Sequence, residues 1–464
     1  MIVQKFGGTS VEDGAAIERL AGIVGRAGGE GTVVVVSAMG PTTDRLVAGL
    51  ARAASGDEGG ALEQLSRVSR DTLAVVDEIF GAAAPSVAGE LAPFFAGLGR
   101  MVGAIAVLRS VPPDARDHFL AQGELVSSLV VARALAARGI PAVRVDARDV
   151  LVTDAHFGRA QPDFRATEAA ARERLAGPVS RRQVPVVGGF VGATAGGQTT
   201  VLGRGGSDYS AAIFGACLGA SRVEIWTDVD GMMTADPRIV PEARVLDRLS
   251  AEEASELAYF GARVLHPLTL APAIEKGIPV RVLNARRPDR PGTEILSGAP
   301  GGGEDVRSIA CKRGIVTVEV STSRMLMAPG FLRTLFDVFA RFDTAVDMIS
   351  TSEVSVSVTL DDSSRVAEIR RELEQMARVD VVPGRAIVCL VGENLKFTSG
   401  IAARIFRAVE DVNVLMISQG ASRRNVSFVV AEEDVERAVR HLHREFFGEA
   451  AASGAASAVR AGRG

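Results

Sequence analysis

The first 295 residues alternate short runs of β-branched residues with longer amphipathic segments, and this alternation constrains the fold more than any other feature of the chain. Short apolar runs at 33–36, 184–187 and 223–226 are typical of strands buried in a mostly parallel sheet. Four segments between these runs place apolar residues at helical spacing: 11–27, 62–80, 116–138 and 163–176. The pattern predicts an α/β fold.

The pattern changes after a glycine-rich stretch at 298–303, which indicates a linker over 298–305. Two similar units follow, each with the predicted order βαββα and a closing strand in the first. The segment 346–350 of the first unit is echoed by 414–418 in the second. Strands are expected separately at 379–382 and 386–391. A paired small module of this kind binds or regulates more often than it catalyses, because neither copy carries a nucleophile–base set.

Charge and composition narrow the classes of partner. The net charge is -4 and the pI is about 5.9, so no basic field would draw the chain to nucleic acid or anionic lipid. No apolar run approaches the ~18 residues that span a bilayer, and the N-terminus lacks the layout of a signal peptide. We therefore expect a cytoplasmic protein with neither a nucleic-acid nor a membrane partner. The tail 449–464, rich in Ala, Gly and Ser, is expected to be disordered.

Three isolated cysteines and five scattered histidines lack the spacing of a disulfide framework or a metal centre. Cys217, Cys311 and Cys389 are interpreted as small core residues. No side chain is predicted to be a dedicated metal ligand.

The segment Val3–Ser10 is predicted to be a short strand that runs into a glycine pair and then a helix. Gly7 and Gly8 would let backbone N–H groups approach an anion, and Lys5 would supply a cation beside them. Only four of the 52 basic residues are lysines, so a lysine at this place is informative. A phosphate would fit the segment, although a tight strand–helix turn with a surface lysine explains the spacing equally well.

A second glycine-rich loop, Leu202–Asp208, also leads into a helix. Ser207 or Asp208 could cap that helix, and Arg204 lies among three glycines, where its guanidinium could hold a carboxylate through two hydrogen bonds. Ordinary capping explains Ser207 and Asp208 but not the glycines around an arginine. The loop therefore indicates a second anion site.

A third segment, Ile225–Gly231, is predicted to be a strand that ends in Thr227 and Asp228. In open α/β folds nucleotides bind at the carboxyl edge of the parallel sheet, which is where these side chains would lie. A simple turn at Asp230-Gly231 explains the segment equally well when it is taken alone. A calcium loop is discounted, because the rest of its spacing is missing.

In combination, Lys-Phe-Gly-Gly-Thr-Ser at 5–10, Gly-Arg-Gly-Gly-Ser-Asp at 203–208, Trp-Thr-Asp-Val at 226–229 and the paired C-terminal units resemble the aspartate kinases of the amino-acid kinase superfamily. The resemblance covers about residues 1–448. Further motifs are similar to those of the monofunctional, lysine-sensitive type: 122–125, 157–160, 264–267 and 351–356. The resemblance implies the following domains: a three-layer αβα kinase domain at 1–297, a ferredoxin-like βαββαβ ACT domain at 313–384, and a second ACT domain built from 306–312 and 385–448.

The resemblance also implies a reaction. ATP and L-aspartate would give 4-phospho-L-aspartate and ADP, with Mg²⁺ accompanying ATP, as the first step toward lysine, threonine and methionine. A carboxylate is an adequate nucleophile at neutral pH, so catalysis reduces to aligning two anions and offsetting their repulsion. Glycine-rich loops and cations, rather than a Ser/His or Cys/His pair, serve that purpose.

Residue roles are carried over from the matching motif positions. Lys5 would reach the transferring phosphate, Gly7 and Gly8 would present backbone N–H groups to it, and Asp208 would orient Lys5 or the metal–phosphate array. The resemblance places the L-aspartate contacts on five residues, with Glu124 on the amino group and Arg204 on the α-carboxylate: Ser37, Thr43, Glu124, Arg204 and Ser207. The nucleotide side would include Lys5, Gly7, Gly8, Thr227, Asp228, Met233, Arg238, Arg263 and Val264. Mg²⁺ would be held mainly by water and phosphate oxygens.

An effector site in the first ACT domain is also implied. The expected residues are Met325, Phe331, Leu332, Val346, Asp347, Ser352 and Glu353. Asp347 and Glu353 supply negative charge suited to the ammonium group of L-lysine, the expected inhibitor, which would bind across a homodimer formed through the ACT domains, with a tetramer as the alternative. The segment 327–329 departs from the family, since relatives offer hydrogen-bonding side chains where this chain has Met-Ala-Pro.

Two departures affect the nucleotide side, because Met233 replaces a frequent Tyr and Arg263 a frequent Lys. Rival interpretations stay open at this point. The nearest is another kinase of the superfamily, acting on glutamate, acetylglutamate, carbamate or a nucleoside monophosphate; the tandem repeat and Arg204 argue against it. A non-catalytic amino-acid sensor is the other, and the retention of Lys5, Arg204, Asp208 and Asp228 argues against that.

Overall fold

The computed structural model of the chain describes residues 1–27, 31–261, 267–298, 305–322 and 330–448. These residues divide into two compact units. The first contains the described part of Met1–Met232, Asp247–Ala251 and Val264–Pro300, and the second that of Met233–Leu246, Glu252–Arg263 and Gly301–Gly464. The predicted linker and tail fall almost wholly on residues outside the described ranges, and the predicted domain limits stay a prediction.

The first unit contains eleven strands among its described residues. They are β1 (Ile2–Phe6), β2 (Thr32–Val36), β3 (Ala142–Val145), β4 (Val152–Thr153), β5 (Val184–Gly188), β6 (Val191–Thr194), β7 (Thr199–Val201), β8 (Arg222–Thr227), β9 (Arg248–Ser250), β10 (Val280–Asn284) and β11 (Thr293–Leu296). Eight of them form one sheet in the order β3-β5-β2-β1-β8-β10-β11-β9. Neighbouring strands in this sheet run parallel to each other, except for β10 and β11, which are antiparallel. A smaller sheet has the order β4-β6-β7.

Helices of the first unit pack on the large sheet, while one helix from the same stretch of chain, Ala251–Tyr259, lies almost wholly in the second unit. In chain order the described helices up to residue 275 are α1 (Gly14–Arg26), α2 (Thr42–Ala54), α3 (Glu58–Phe80), α4 (Ala84–Leu108), α5 (Pro113–Ala137), α6 (Phe164–Ala171), α7 (Gly177–Ser180), α8 (Gly206–Leu218), α9 (Ala251–Tyr259) and α10 (Ala271–Glu275). The central strands β1 and β2 are buried along their whole length. Side chains from β1, β2, α1 and α5 share one hydrophobic core, so the sheet is covered as the apolar strand pattern requires.

The predicted helices correspond to α1, α3, α5 and α6, with limits that differ by a few residues. The segment 163–176 is not one helix, because α6 ends at Ala171 and a π-helical turn follows over Arg172–Ala176. Helices α2 and α4 were not predicted. In α4, alanines and glycines blur the apolar stripe and Pro93 lies inside the helix, where proline normally argues against one.

Two helical stretches of the described residues are long and apolar enough to cross a membrane by length and composition. They are Glu58–Leu108, whose most apolar window is 22% buried, and Pro113–Ala137, whose window is 89% buried. The expectation that no apolar run approaches membrane length is therefore wrong, because both stretches reach it by length and composition. One or two such helices are weak evidence, because a buried core helix such as α5 passes the same test.

The second unit is built on a six-stranded sheet in the order β13-β14-β12-β15-β17-β16. Its strands are β12 (Ser308–Ser321), β13 (Ile349–Thr351), β14 (Ser355–Leu360), β15 (Arg378–Val391), β16 (Met416–Gln419) and β17 (Asn425–Ala431). Its helices after residue 330 are α11 (Phe331–Arg341), α12 (Val366–Leu373), α13 (Ile401–Ala408) and α14 (Val435–Phe447). All the described pairs of this sheet are antiparallel.

Long strands join the two repeats of this unit. The first half of β12 pairs with the second half of β15, and the register shifts between Lys312 and Thr317, beyond which β12 pairs with the first half of β15. The separate strands expected at 379–382 and 386–391 are therefore one strand, because Pro383 and Gly384 lie at this irregularity without ending the ladder. Each half of the sheet covers its own hydrophobic core.

Candidate active site

Lys5 and Asp208 form a buried ion pair at the centre of the large sheet. Lys5 lies on β1, whose neighbours are β2 and β8, and Asp208 lies in the first turn of α8. The Lys5 Nζ to Asp208 Oδ1 distance is 2.7 Å, and the two side chains are 11% and 12% exposed. The pair fixes the ammonium group where β1 ends and a glycine-rich turn begins. The first of the two roles expected for Asp208, the orientation of Lys5, requires this contact, and the role itself stays a prediction.

The glycine pair after β1 has a different role from the predicted one at Gly7. The Gly7 N–H donates to the Trp226 carbonyl oxygen over 3.1 Å, so this amide is not available to a phosphate. A Cβ at position 7 would lie 3.5 Å from Lys5 Nζ, so glycine keeps the space beside the ammonium group open. Gly8 lies close to the loop after β2, since a Cβ there would lie 3.1 Å from the Ala38 carbonyl oxygen.

The expected substrate residues Glu124 and Ser207 both lie at the carboxyl end of the sheet. Glu124 is near the ends of β2 and β5, and Ser207 is near the end of β5. Glu124 is on α5, and its Oε1 accepts a hydrogen bond from the Ala38 N–H at 3.2 Å. Gly188, the last residue of β5, packs against Glu124, and a Cβ at Gly189 would lie 2.7 Å from the Ser207 Cα. A Cβ at Gly189 would collide with Ser207, and one at Gly188 would crowd Glu124 at 3.1 Å, which explains the glycine pair at the end of β5.

Ser37 and Thr43 lie on either side of the same loop after β2. The Ser37 N–H donates to the Phe6 carbonyl oxygen over 3.0 Å, which places Ser37 beside the end of β1. Thr43 is the second residue of α2. Both residues are half-buried, and they lie in sequence on either side of Ala38, the residue that Glu124 contacts.

Burial gives Glu124 an unusual acidity. The side chain is buried, and its Oε2 has no hydrogen-bond partner. Burial raises the pKa of the Glu124 carboxyl to about 8, while the Ala38 amide and the charge of Lys5 oppose the rise. A buried carboxyl with one unpaired oxygen is suited to receive a cationic group.

Arg204 projects from the loop that joins β7 to α8. Gly203 and Gly205 on either side of it have φ of +81° and +71°, backbone angles that residues other than glycine rarely adopt. Gly205 is also the residue before the first turn of α8. Arg204 itself is exposed, so its guanidinium is accessible to a soluble anion.

β8 ends at Thr227, Asp228 follows it directly, and an unpredicted residue, Asn284, organises this turn. Asn284, the last residue of β10, pairs in register with Thr227. Its Nδ2 donates to Asp230 Oδ1 at 2.7 Å, and the Ala285 N–H donates to the Thr227 carbonyl oxygen at 2.8 Å. Asn284 lies in none of the motifs found in the sequence. It reaches this turn because β10 pairs in parallel with β8.

The other expected nucleotide residues fall in the second unit or outside the described ranges. Met233 and Arg238 belong to the second unit. There, the Arg238 guanidinium makes a bidentate pair with Asp236, at 2.6 Å for its shortest contact, and is 89% exposed. Arg263 and Val264 lie outside the described residues.

Within the second unit, Asp347 is the centre of a polar cluster. Its Oδ1 accepts hydrogen bonds from Lys312 Nζ and from the Tyr259 hydroxyl, each at 2.9 Å, while its Oδ2 is buried without a partner. Lys312 Nζ also contacts Asp361 at 2.7 Å and lies 4.9 Å from the centre of the Tyr259 ring. Burial and the Asp347 carboxylate together raise the pKa of Tyr259 well above its ordinary value.

The remaining expected effector residues lie around the same repeat. Phe331 and Val346 pack against one hydrophobic core, whereas Leu332 is 41% exposed. Ser352 and Glu353 are exposed in the turn between β13 and β14, where the Ser352 hydroxyl is 2.7 Å from that of Ser355. Met325 lies outside the described residues.

Comparison with known proteins agrees with this architecture. Residues 1–284 match the amino acid kinase family, and residues 388–446 match the ACT domain. Lysine-sensitive aspartokinase 3 of Escherichia coli (strain K12) is 37% identical over 461 residues, which cover 96% of this chain and 99% of that protein. Aspartokinase 1, chloroplastic, of Arabidopsis thaliana is 36% identical over 461 residues, covering 96% of this chain and 80% of that protein.

Solved structures show the same relation. The crystal structure of E. coli aspartokinase III in complex with aspartate and ADP (R-state) has a TM-score of 0.83 and 36% identity, and covers 96% of this chain and 100% of that chain. The structure of the same enzyme with lysine and aspartate (T-state) also has a TM-score of 0.83, with 36% identity and coverage of 96% and 99%. The predicted family and fold class are thus confirmed. The chain belongs to the amino acid kinase family, among the aspartokinases that carry C-terminal ACT domains.

Proposed function

We propose that this aspartokinase transfers the γ-phosphoryl group of ATP to the side-chain carboxylate of L-aspartate, giving 4-phospho-L-aspartate and ADP at the entry to lysine, threonine and methionine synthesis. The observation that carries the proposal is the buried Lys5–Asp208 pair beside Glu124 and Ser207, at the carboxyl end of a parallel sheet. The E. coli relative whose structure holds aspartate and ADP supports the choice of substrates.

In this proposal the residues align two anions. Asp208 holds the Lys5 ammonium group toward the transferring phosphoryl group, where a fixed cation offsets charge that would otherwise repel the incoming carboxylate. Arg204 binds the α-carboxylate, and Glu124 binds the amino group. With both α-substituents held, only the side-chain carboxylate is free to attack, and it needs no general base because it is ionised at neutral pH.

Mg²⁺ would enter with the nucleotide and neutralise phosphate charge. Among the described residues, no group of three or more His, Cys, Asp or Glu side chains could hold a metal ion. Asp208 is engaged by Lys5, while Asp228, directly after β8, is exposed and would contact a hydrated ion through water. These features fit an ion held mainly by phosphate oxygens and water.

The proposal is tested by incubating the purified protein with ATP, Mg²⁺ and one candidate acid at a time, and trapping acyl phosphate with hydroxylamine. Hydroxamate should form with L-aspartate and not with glutamate, acetylglutamate or carbamate. Turnover of one of those acids instead would identify another kinase of the family. Absence of turnover with every acid, in a protein that still binds amino acids, would identify a sensor.

We further propose feedback inhibition by L-lysine at the first ACT repeat, in a cytoplasmic homodimer paired through the ACT domains. Asp347, with a buried and unpartnered Oδ2, supports an ammonium-binding role, and the E. coli relative with bound lysine supports the effector. Calorimetric titration with lysine, threonine and methionine separately tests the effector, and light scattering tests the dimer. Aspartate and ATP should weaken lysine binding by the factor by which lysine weakens theirs. Binding of threonine alone would show that the effector is misassigned.

A further inference from the structure

Asp117 is a fully buried carboxylate that the proposed reaction does not use. It lies on α5 with no exposed surface. One of its oxygens, Oδ2, accepts hydrogen bonds from two backbone amides, Gly158 N–H at 2.8 Å and Val201 N–H at 3.0 Å. The other oxygen, Oδ1, is buried without a partner. Burying a carboxylate costs free energy unless hydrogen bonds compensate for the lost water. The two amides that bind Asp117 supply such bonds.

The two amides belong to segments that flank Arg204. Val201 is the last residue of β7, three residues before Arg204, and Gly158 lies in the turn 157–160. The Ala160 N–H donates to the Val201 carbonyl oxygen at 3.0 Å, and a Cβ at Gly203 would lie 3.1 Å from the Gly158 carbonyl oxygen. The turn and the arginine loop are thus in backbone contact. Asp117 binds the turn through the Gly158 N–H and the start of the loop through the Val201 N–H.

The same helix also carries the expected receptor for the substrate's amino group. Glu124 follows Asp117 by seven residues, which is about two helical turns, so the two side chains leave one face of α5 roughly 10 Å apart. His118, next to Asp117, adds a contact to β7, because its Nδ1 is 3.2 Å from the Thr199 hydroxyl. One rigid helix therefore sets the position of Glu124 directly and that of the Arg204 loop through Asp117.

We propose that Asp117 is a positioning residue that fixes Arg204 relative to Glu124 and thereby determines selectivity for an amino acid with a free α-carboxylate and α-amino group. The inference rests on the proposed function, since it takes Arg204 and Glu124 as the substrate receptors. Recognition of an α-amino acid requires its cationic and anionic receptors at a fixed separation. A helix is stiff enough to supply that separation, whereas the glycine-rich loop around Arg204 is not.

The geometry distinguishes a hydrogen-bonding role from a role of charge. Because Oδ2 alone accepts both bonds, the amide oxygen of asparagine can accept them too. Leucine has nearly the same shape and accepts neither, so Asp117→Leu leaves two buried N–H groups unpaired. Asp117→Asn should therefore keep the loop in place, and Asp117→Leu should release it.

The test is a steady-state comparison of the full-length wild type, Asp117→Asn and Asp117→Leu. In Asp117→Leu we expect the KM for aspartate to rise about tenfold or more, with the KM for ATP changed less than about twofold, since sub-ångström misplacement of a binding group is costly. Asp117→Asn should stay within about threefold of the wild type in both constants. Hydrogen exchange should speed up in peptides covering 157–160 and 201–207 of Asp117→Leu only.

Asp57→Leu is the matched control. Asp57 also accepts a backbone N–H, that of Gly60 at 2.9 Å, at the start of α3, so its loss should lower stability without moving either KM. If Asp117→Leu does not fold, Asp117→Ser, whose hydroxyl is too short to bridge both amides, replaces it and should show the same split.

Three results would overturn the inference. They are equal changes of both KM values in Asp117→Leu, no change in either, and a loss of aspartate affinity in Asp117→Asn as large as that in Asp117→Leu. A wild type without aspartate-dependent turnover would instead contradict the proposed function, and this inference with it.

Discussion

Lys5 carries the central charge of the proposed site. It is one of four lysines in a chain rich in arginine, it is 8% exposed, and Asp208 holds it at 2.7 Å. A planar guanidinium would place its charge differently in this confined site. We expect Lys5→Ala and Lys5→Arg to fold normally and to lose about 3–4 kcal/mol of transition-state stabilisation, or roughly 10²–10³ in kcat. Normal turnover of folded Lys5→Ala would refute the role of this residue.

Arg204 should act on one substrate only. A single ammonium group cannot reproduce the two-pronged contact of a guanidinium with a carboxylate, so Arg204→Lys should raise the KM for aspartate far more than that for ATP. We expect a difference of about tenfold between the two effects, which steady-state kinetics with each substrate varied in turn would measure. Equal effects on both constants would show that Arg204 does not recognise the amino acid.

The raised pKa of Glu124 makes aspartate binding pH-dependent. Below its pKa of about 8 the carboxyl is mostly protonated and cannot attract an ammonium group, and above it the carboxylate can. Between pH 7 and pH 9 the ionised fraction rises about tenfold, so the KM for aspartate should fall by up to that factor. Glu124→Gln should have a higher KM that is flat over this range. A wild-type KM that rises with pH would contradict the assignment of Glu124 to the amino group.

Among the elements, β12 and α9 bear directly on regulation. Lys312 on β12 and Tyr259 at the end of α9 both bind the Asp347 carboxylate that the effector's ammonium group would need. An internal cation that must be displaced lowers the apparent affinity of the ligand. Lys312→Met should therefore bind L-lysine more tightly, by about fivefold or more, because the competing contact is largely buried and is worth at least the roughly 1 kcal/mol of an exposed ion pair.

Calorimetry of Lys312→Met against Lys396→Met checks this prediction. Lys396 lies in the same unit, and its Nζ donates to the Gly420 carbonyl oxygen, away from Asp347, so its removal should leave the affinity for L-lysine unchanged. Unchanged or weaker binding in Lys312→Met would show that Lys312 does not compete for the carboxylate.

Element by element, the sequence predicts structure where periodicity is strong and fails where other features mask it. Helix α1 places its buried residues at helical spacing and was predicted, whereas α4, with its glycines and Pro93, was not. The long strand β15 was divided in two because Pro383 and Gly384 normally end a strand. Its pairing with β12 on both sides of the irregularity keeps it continuous, and such pairing is a tertiary property.

For the molecule as a whole, the alternating pattern predicts an α/β fold, and the resemblance to the aspartate kinases implies a kinase domain followed by two ACT domains; this fold class is confirmed. The candidate site was predictable only in part. Lys5, Arg204 and Asp208 lie in motifs, but Asn284 and Asp117 act through contacts with residues that are far away in the sequence. No local pattern marks such residues, because their partners are set by strand order.

In the proposed reaction, Arg204 and Glu124 hold both α-substituents of L-aspartate, so that only the side-chain carboxylate reaches the phosphoryl group. The most direct test is the identity of the product trapped by hydroxylamine, determined by mass spectrometry against the two synthetic aspartyl hydroxamates. We expect the β-hydroxamate alone, formed in proportion to the ADP released. Formation of the α-hydroxamate, or ADP release from ATP and aspartate without any hydroxamate, would contradict it.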